Sequence, residues 1–167
     1  MILAVDVQYV DDAAYAAGIL FSNWTSASIQ KIIRKRIESV QAYEPGAFYK
    51  RELPCLKAIL SDVDLELDVI LIDGYVSLGF DAKPGLGRYL FEALNSNVPV
   101  IGVAKTRYLN TPSECELIRG ISRKPLYITA AGIPLDEAKS LVGSMSGEGR
   151  IPDLLAQVDR LARELGG

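Results

Sequence analysis

Short, nearly uninterrupted apolar runs constrain the fold of this chain more than any other feature of its sequence. The runs are VILI at 69–72, VPVIGVA at 98–104 and LYITAA at 126–131. A run that is apolar at almost every position suits a strand covered on both faces, whereas a half-exposed strand alternates. Each run therefore predicts a central strand of a sheet that has helices on both faces.

The segments between and after these runs repeat apolar residues at helical spacing, so they predict the covering helices. One helix is predicted to begin between Arg51 and Pro54, because proline is tolerated in a first turn, and the last is predicted to begin near Pro152. The predicted apolar faces, in chain order, are Leu53, Leu56, Ile59 and Leu60; Leu86, Leu90, Phe91 and Leu94; Leu135, Ala138, Leu141 and Val142; and Leu154, Leu155, Val158, Leu161 and Leu165.

The N-terminal part of the chain has a different pattern. ILAVDVQY at 2–9 and AYAAGILF at 14–21 are rich in β-formers and flank a turn, so they predict an antiparallel hairpin. SIQKIIRKRIESV at 28–40 has two interpretations: its isoleucine spacing fits a helix, but its β-branched content and the adjoining hairpin favour a third strand. The order predicts a single α/β domain over residues 1–167, with a mixed sheet that opens with an antiparallel hairpin.

Composition excludes several classes of protein. The net charge is −3, so no global attraction to nucleic acid or anionic lipid is expected. No apolar run is long enough to span a membrane, and no signal peptide is recognisable, which predicts a cytoplasmic protein with no membrane partner. The chain contains no histidine. The commonest general base and transition-metal ligand is therefore missing, and any chemistry rests on carboxylates, lysine, hydroxyls or a hard metal.

Three acidic residues, one inside a predicted strand and two at element ends, are candidate metal ligands. Asp6 lies inside the first strand, where an unpaired charge is costly, and Asp73 ends a central strand, where open α/β sheets place ligands. Glu52 falls at a helix start. Together they suit Mg²⁺ or Mn²⁺ with oxygen ligands. Taken singly, each has a structural alternative, since Glu52 suits the helix dipole and Asp73-Gly74 suits a turn.

Several sequence words occur in the order found in the endonuclease V family, whose fold is ribonuclease H-like. The chain is identified on these words as a divergent member of that family. The words are DVQY at 6–9, YEPGAFYKRE at 43–52, DG at 73–74, PGLGRYL at 84–90, VPVIGVAKTR at 98–107 and KPLYIT at 124–129.

The resemblance implies a Mg²⁺-dependent endonuclease, with Mn²⁺ as a substitute, that cuts DNA or RNA on the 3′ side of inosine or another altered base. It implies Asp6, Glu52, Asp73 and Lys105 as catalytic residues. Asp6 and Asp73 would hold the metal and Glu52 would complete the cluster. Lys105 would neutralise phosphate charge, although a solvated lysine at a strand end is the structural alternative.

The resemblance also implies residues that bind nucleic acid. Tyr43 and Pro45 match part of the loop that wedges the duplex apart, and Gly46 and Gly74 would let backbone approach a flipped base. The structural alternatives are a half-buried loop aromatic residue and ordinary turns. Glu44 departs from the family, which usually has an apolar residue at that wedge position; its charge disfavours entry between phosphates.

The chain departs from the family at other positions too. YVSLGFDAKPG at 75–85 replaces the usual stretch with a His-Pro-Arg word, and Gly132-Ile133 stands where a late histidine is expected. Asp136 or Glu137 is an alternative fourth acidic ligand, although favourable charge at a helix N-terminus is the preferred explanation of both. The N-terminal helical segment usual in the family is absent, so a homodimer is expected to compensate.

Two further alternatives remain open from sequence. The basic residues Lys31, Arg34, Lys35, Arg36, Lys50 and Arg51 form either a phosphate-tracking patch or the protected edge of a sheet. The rival functional hypothesis is a catalytically impaired or inactive relative that binds nucleic acid or acts as a scaffold. A nucleotide-binding α/β domain is disfavoured, because no strand-adjacent glycine-rich loop has the required spacing.

Overall fold

The predicted apolar runs form the centre of a seven-stranded mixed sheet. The computed structural model describes residues 1–38, 40, 42, 44–45 and 47–166. The strands are β1 (Ile2–Val10), β2 (Ala13–Phe21), β3 (Lys31–Ile37), β4 (Val69–Asp73), β5 (Ser77–Leu78), β6 (Lys83–Pro84), β7 (Val100–Ala104), β8 (Glu116–Leu117) and β9 (Leu126–Ala131), and the helices are α1 (Tyr49–Leu60), α2 (Leu86–Ala93), α3 (Leu135–Ser144) and α4 (Asp153–Gly166). The order of strands in the sheet is β3-β2-β1-β4-β7-β9-β8.

Strand directions confirm the hairpin start. β1 pairs antiparallel with β2 and parallel with β4, and β4 pairs parallel with β7. β9 then runs antiparallel to both β7 and β8. The strands β5 and β6 form a separate small hairpin, in a stretch for which the sequence predicts no strand.

The ambiguous basic segment is strand β3, at the edge of the sheet, with Ile33 buried and its neighbours Ile32 and Arg34 exposed. Lys31 and Lys35 pair with Asp64 and Asp62 at 3.4 and 2.8 Å. Charged residues along an edge strand discourage pairing with other chains. For the basic residues of β3, these ion pairs support the protected-edge interpretation over a patch that binds phosphates.

Apolar layers cover both faces of the sheet, as predicted. Ile2 and Ala4 of β1 face a layer that includes residues of α3 and α4, whereas Leu3 and Val5 face the layer that includes residues of α1. This alternation follows from the two-residue period of a strand. Cys55 and Cys115 are buried and free. None of the described helices is long and apolar enough to cross a membrane.

The guanidinium group of Arg119 forms hydrogen bonds with the connection between α3 and α4. Arg119, which is buried, donates hydrogen bonds to the carbonyl oxygens of Met145, Gly147 and Gly149 at 2.6, 3.2 and 2.8 Å. Backbone carbonyls in an irregular connector need such donors when they are removed from water. Arg119, which follows β8, therefore ties this connector to the rest of the fold just before α4 begins.

Candidate metal and nucleic-acid site

Parallel register brings two of the predicted carboxylates side by side. Val5 of β1 pairs with Ile72 of β4, so Asp6 and Asp73 occupy neighbouring positions one residue further along. Alternation turns both side chains toward the face that α4 covers, because Ala4 and Leu71 belong to that layer. Asp6 is 5% exposed, whereas the Asp73 side chain is 40% exposed at the strand end.

Glu52 reaches the same place from the opposite face of the sheet. Helix α1 packs Cys55, Leu56 and Ile59 into the core, which points its first turn at the strand ends. Glu52 is 6% exposed there. Burial, with the nearby charges of Asp6 and Asp73, raises the pKa of Glu52 to about 8. A carboxyl group in this position resists ionisation until a cation joins it.

A fourth acidic residue, Asp159 of α4, completes the cluster, and sequence reasoning missed it. Its carboxylate lies 3.0 Å from Nε of Arg163 and 4.0 Å from Nζ of Lys105, and it is close enough to Asp6 for a hydrogen bond between the two carboxyl groups. A signal was present in the sequence. Asp159 lies four residues after Leu155 and three before Ala162, so a carboxylate borders the apolar face of an amphipathic helix.

The acids of this cluster have displaced pKa values. Burial raises the pKa of Asp6 to about 7, helped by the hydrogen bond with Asp159 and the charge of Asp73. Partial burial raises the pKa of Asp73 and outweighs the opposing effect of Lys105. Burial also acts to raise the pKa of Asp159, but the hydrogen bond with Asp6, Lys105 and Arg163 together bring that pKa below its ordinary value.

Two oxygens in the cluster receive no hydrogen bond from an N–H group or a hydroxyl among the residues that the structure describes. They are Oδ2 of Asp6 and Oε2 of Glu52, whereas Oδ1 of Asp6 accepts from the Val7 N–H at 2.8 Å. No three acidic, histidine or cysteine side chains of the described chain close around a single point. Mg²⁺ does not need a closed cage, since it keeps several waters and takes one or two carboxylates. The donor set therefore fits a hydrated divalent cation between Asp6 and Asp73.

Lys105 places a positive charge against this cluster. Its Nζ lies 3.5 Å from Asp73 and 4.0 Å from Asp159. The residue follows β7, and its carbonyl oxygen accepts a hydrogen bond from Arg150, which also donates to the carbonyl oxygens of Lys124 and Pro125. The predicted lysine is thus fixed where two strand ends and the connector before α4 meet.

An aromatic cleft of about 760 Å³ opens beside Glu52 and Asp73. The backbone is tightly packed behind Gly74, which lines the cleft: a Cβ on Gly102 would lie 2.5 Å from the Gly74 carbonyl oxygen. Gly74 itself has φ of +127°, a conformation that favours glycine. Tyrosine rings Tyr49 and Tyr89 stack with centroids 3.7 Å apart. The aromatic residues that line the cleft are Phe48, Tyr49, Tyr75, Tyr89 and Tyr108.

The structure does not bring every candidate to this end of the sheet. Because β9 is antiparallel to β7, with Ala131 opposite Val100, its last residue lies at the other end. Asp136, which follows β9 in the first turn of α3 and is exposed, is therefore remote from the cluster. The idea that Asp136 is the fourth ligand is wrong for this geometry, and the helix-start explanation holds.

The position expected to carry a late histidine also lies at that remote end. Gly132 follows β9 and sits close to Phe91 and Pro99, which precedes β7. A side chain there would not face Asp6 or Asp73. The missing histidine thus removes nothing from this carboxylate cluster.

The wedge candidates are only partly described. Tyr43 and Gly46 lie outside the described residues. Pro45 is exposed in a turn, and Glu44 next to it points its carboxylate at Lys50, 3.3 Å away. The nucleic-acid roles of these residues and of Gly74 stay predictions.

Comparisons with known proteins agree on one family. The sequence model of endonuclease V matches residues 1–137. The chain is similar to the endonuclease V of Haloarcula marismortui, 29% identical over 117 residues that cover 68% of this chain and 40% of that protein. It covers 63% and 62% of two other endonuclease V sequences. The chain thus spans less than two thirds of the length of these curated relatives.

Solved structures show the same fold. The endonuclease V of Streptomyces avermitilis is similar with a TM-score of 0.78 and 24% identity, over 98% of this chain and 80% of that one. The endonuclease V of Ciona intestinalis, solved with DNA that contains inosine followed by a ribo-adenosine, is similar with a TM-score of 0.77 and 18% identity, over 98% and 84%. At these identities the likeness establishes the fold and leaves substrate open.

Proposed function

Since this chain belongs to the endonuclease V family, as its sequence words predicted, we propose that it is a Mg²⁺-dependent endonuclease that cuts on the 3′ side of inosine in DNA or RNA. The observation that carries the proposal is the pair Asp6 and Asp73, side by side and next to Lys105, with a buried oxygen of Asp6 that receives no N–H or hydroxyl hydrogen bond from the described residues. The inosine-containing DNA bound to the Ciona endonuclease V supports the choice of base.

Asp6 and Asp73 are the residues that would hold the cation, and Glu52 and Asp159 flank them. Bound there, Mg²⁺ or Mn²⁺ would activate a water molecule and stabilise the leaving oxygen of a phosphodiester. Glu52 meets the cluster through an oxygen that has no other donor among the described residues, so it is suited to orient a water of the hydrated ion.

Lys105 contributes charge rather than proton transfer. Its ammonium group sits at the mouth of the cluster, within 3.5 Å of Asp73. A phosphate that enters beside Asp73 exchanges this ion pair for a charge-assisted hydrogen bond, which neutralises one of its oxygens. The aromatic cleft beside Glu52 would take the altered base once it leaves the stack, where tyrosine rings offer faces for it.

A second candidate function is a non-catalytic relative that binds nucleic acid or acts as a scaffold. The ion pairs of Lys105 with Asp73 and Asp159 favour it, because they satisfy part of the cluster without a metal. The charge of Glu44 in the expected wedge also favours it, since it opposes insertion between phosphates. A cytoplasmic location and a homodimer accompany either function as predictions.

A cleavage assay with matched substrates tests the first proposal. Labelled DNA and RNA strands with a single inosine, and the same strands with adenosine, are incubated with the protein and Mg²⁺, Mn²⁺ or EDTA. We expect one cut on the 3′ side of inosine, dependent on metal and lost in Asp73→Asn. Absence of metal-dependent cutting at micromolar protein, with oligonucleotide binding intact, would instead establish the non-catalytic relative.

A further inference from the structure

A group of exposed apolar side chains lies on the rim of the aromatic cleft. Phe80 is 80% exposed at the tip of the β5–β6 hairpin, and Leu109 is 75% exposed in the loop after β7. Together with the half-exposed Tyr108 they line a groove of about 570 Å³. Large apolar side chains grouped on a surface mark places where something binds, whereas single ones need no explanation.

Hydrogen bonds and close packing hold the backbone that carries these side chains in place. The Tyr75 hydroxyl donates to the Thr106 carbonyl oxygen at 2.8 Å and accepts from the Tyr108 N–H at 3.0 Å. Gly79, with φ of +70°, brings the hairpin so close that a Cβ there would lie 3.3 Å from the Leu109 carbonyl oxygen. The backbone segments that carry Phe80 and Tyr108 are therefore held against each other before any ligand arrives, which lowers the entropy cost of binding.

The groove lined by Phe80 is continuous with the aromatic cleft. Leu78, Lys83 and Tyr108 line both of them. A strand whose phosphate lies beside Asp73 therefore has a path along Lys83 to Phe80. The exposed Asp81 also lines the groove, and its charge disfavours a phosphate there. The part of a nucleotide that suits this groove is thus a base, which presents an uncharged aromatic face.

We propose that Phe80, which lines the groove together with Leu109, is a stacking platform for an unpaired base of the substrate strand that neighbours the nucleotide in the cleft. The platform rests on the proposed endonuclease function and names a binding residue for it. Stacking accepts any base, because every base has a π-face. This surface therefore adds affinity for single-stranded or locally opened nucleic acid without adding sequence preference.

Oligonucleotide binding in EDTA tests the platform apart from cleavage. Fluorescence anisotropy with a labelled inosine-containing single strand measures Kd for the wild-type chain and for Phe80 variants. We expect Phe80→Ala to bind about tenfold more weakly. Phe80→Leu should lose nearly as much although it stays apolar, and Phe80→Tyr should bind like the wild type. Leu65→Ala is the control, an exposed leucine before β4 at the far end of the sheet.

A spectroscopic readout separates stacking from a structural role. In a Phe80→Trp, Trp24→Phe variant the introduced indole is the chain's only tryptophan. We expect its emission to be quenched when the oligonucleotide binds.

Wild-type affinity in Phe80→Ala, with cleavage retained, would overturn the platform and leave the endonuclease proposal standing. Weaker binding by Phe80→Ala, with no cutting by the wild-type chain, would overturn the endonuclease proposal and leave the platform standing. Dissociation of a wild-type dimer by Phe80→Ala in sedimentation, with Kd unchanged, would make the patch a contact between copies and overturn the proposal.

Discussion

The two ends of the central sheet both carry acidic residues but place them in opposite environments. At the end of the sheet where β4 terminates, Asp6 and Glu52 are buried, and each keeps an oxygen that receives no N–H or hydroxyl hydrogen bond from the described residues. At the other end, Asp136 is exposed at a helix start, and Asp68 pairs with the N-terminal ammonium group at 2.6 Å while its side chain stays in water. Burial without partners, rather than acidity, distinguishes a candidate site from a solvated surface.

The sharpest test of this contrast replaces one acid at each end of the sheet. Asp6→Asn removes a proposed metal ligand, so we expect cleavage to fall by about 10³-fold or more, which corresponds to several kcal/mol of lost transition-state stabilisation. Asp136→Asn makes the same chemical change at the remote end and should cut at the wild-type rate. Single-turnover kinetics on the inosine strand measure both. Equal losses in the two variants would abolish the distinction.

Asp159 extends the comparison to an acid that lies between the two extremes of exposure. Asp159→Asn removes a charge that pairs with Lys105 and a hydrogen-bond partner of Asp6. We expect a loss of about 10–100-fold in cleavage or metal affinity, the range typical of groups that orient ligands. Glu164→Gln, an exposed acid on the same helix, is the matched control. An unaffected Asp159→Asn enzyme would restrict the working cluster to three carboxylates.

Two glycines test how tightly the site end is packed. Gly102→Ala would put a Cβ 2.5 Å from the Gly74 carbonyl oxygen and 2.9 Å from Oγ1 of Thr129. We expect a loss of about 1–3 kcal/mol in the free energy of unfolding, with impaired cleavage. In α3, Gly143→Ala meets only Leu117 at 3.7 Å, and should be neutral or gain up to about 1 kcal/mol. Urea denaturation measures both; equal effects would contradict the packing difference.

The smallest effect concerns pH. The folded-state pKa values of Asp6 and Glu52 are raised, from 3.8 to about 7 and from 4.5 to about 8. Between about pH 4 and 8 the folded protein keeps protons that the unfolded chain has lost, so this contribution lowers stability as pH rises. In EDTA we expect Tm to be a few degrees lower at about pH 8 than at about pH 5.5.

Metal and mutation sharpen the pH test. Mg²⁺ should raise Tm more at the higher pH, because the ligands must lose their protons to bind it. Glu52→Gln should flatten the dependence. The lowered pKa of Asp159 acts with the opposite sign, but only at the acid end below about pH 4. A Tm that climbs with pH in EDTA would show that these carboxyl groups are not the ones that dominate.

Much of the fold and half of the site follow from simple sequence rules. The uninterrupted runs form the central strands, and Asp6 lies beside Asp73 because β1 and β4 are parallel neighbours with Val5 opposite Ile72. Glu52 followed from the helix that precedes β4. These predictions rest on local pattern and on a topology that pattern implies.

The rest depended on directions that residue patterns do not encode. An apolar run predicts a strand but not its direction. Because β9 is antiparallel to β7, Asp136 lies at the end of the sheet opposite the acidic cluster. An amphipathic helix predicts burial but not which strand it crosses, and the docking of α4 placed Asp159 next to Asp6. Phe80 is exposed at the tip of a hairpin that formed in a stretch without a strand pattern.

The hydrogen bonds of Arg119 to the connector before α4 have a consequence for local unfolding. Opening of α4 alone would withdraw Asp159 and leave Asp6, Asp73 and Glu52 on an intact sheet. The free energy of that opening is set in part by one guanidinium and the carbonyl oxygens of 145–149. Amide hydrogen exchange in α4 would therefore report how often the molecule exists with an incomplete acidic cluster, independently of its global stability.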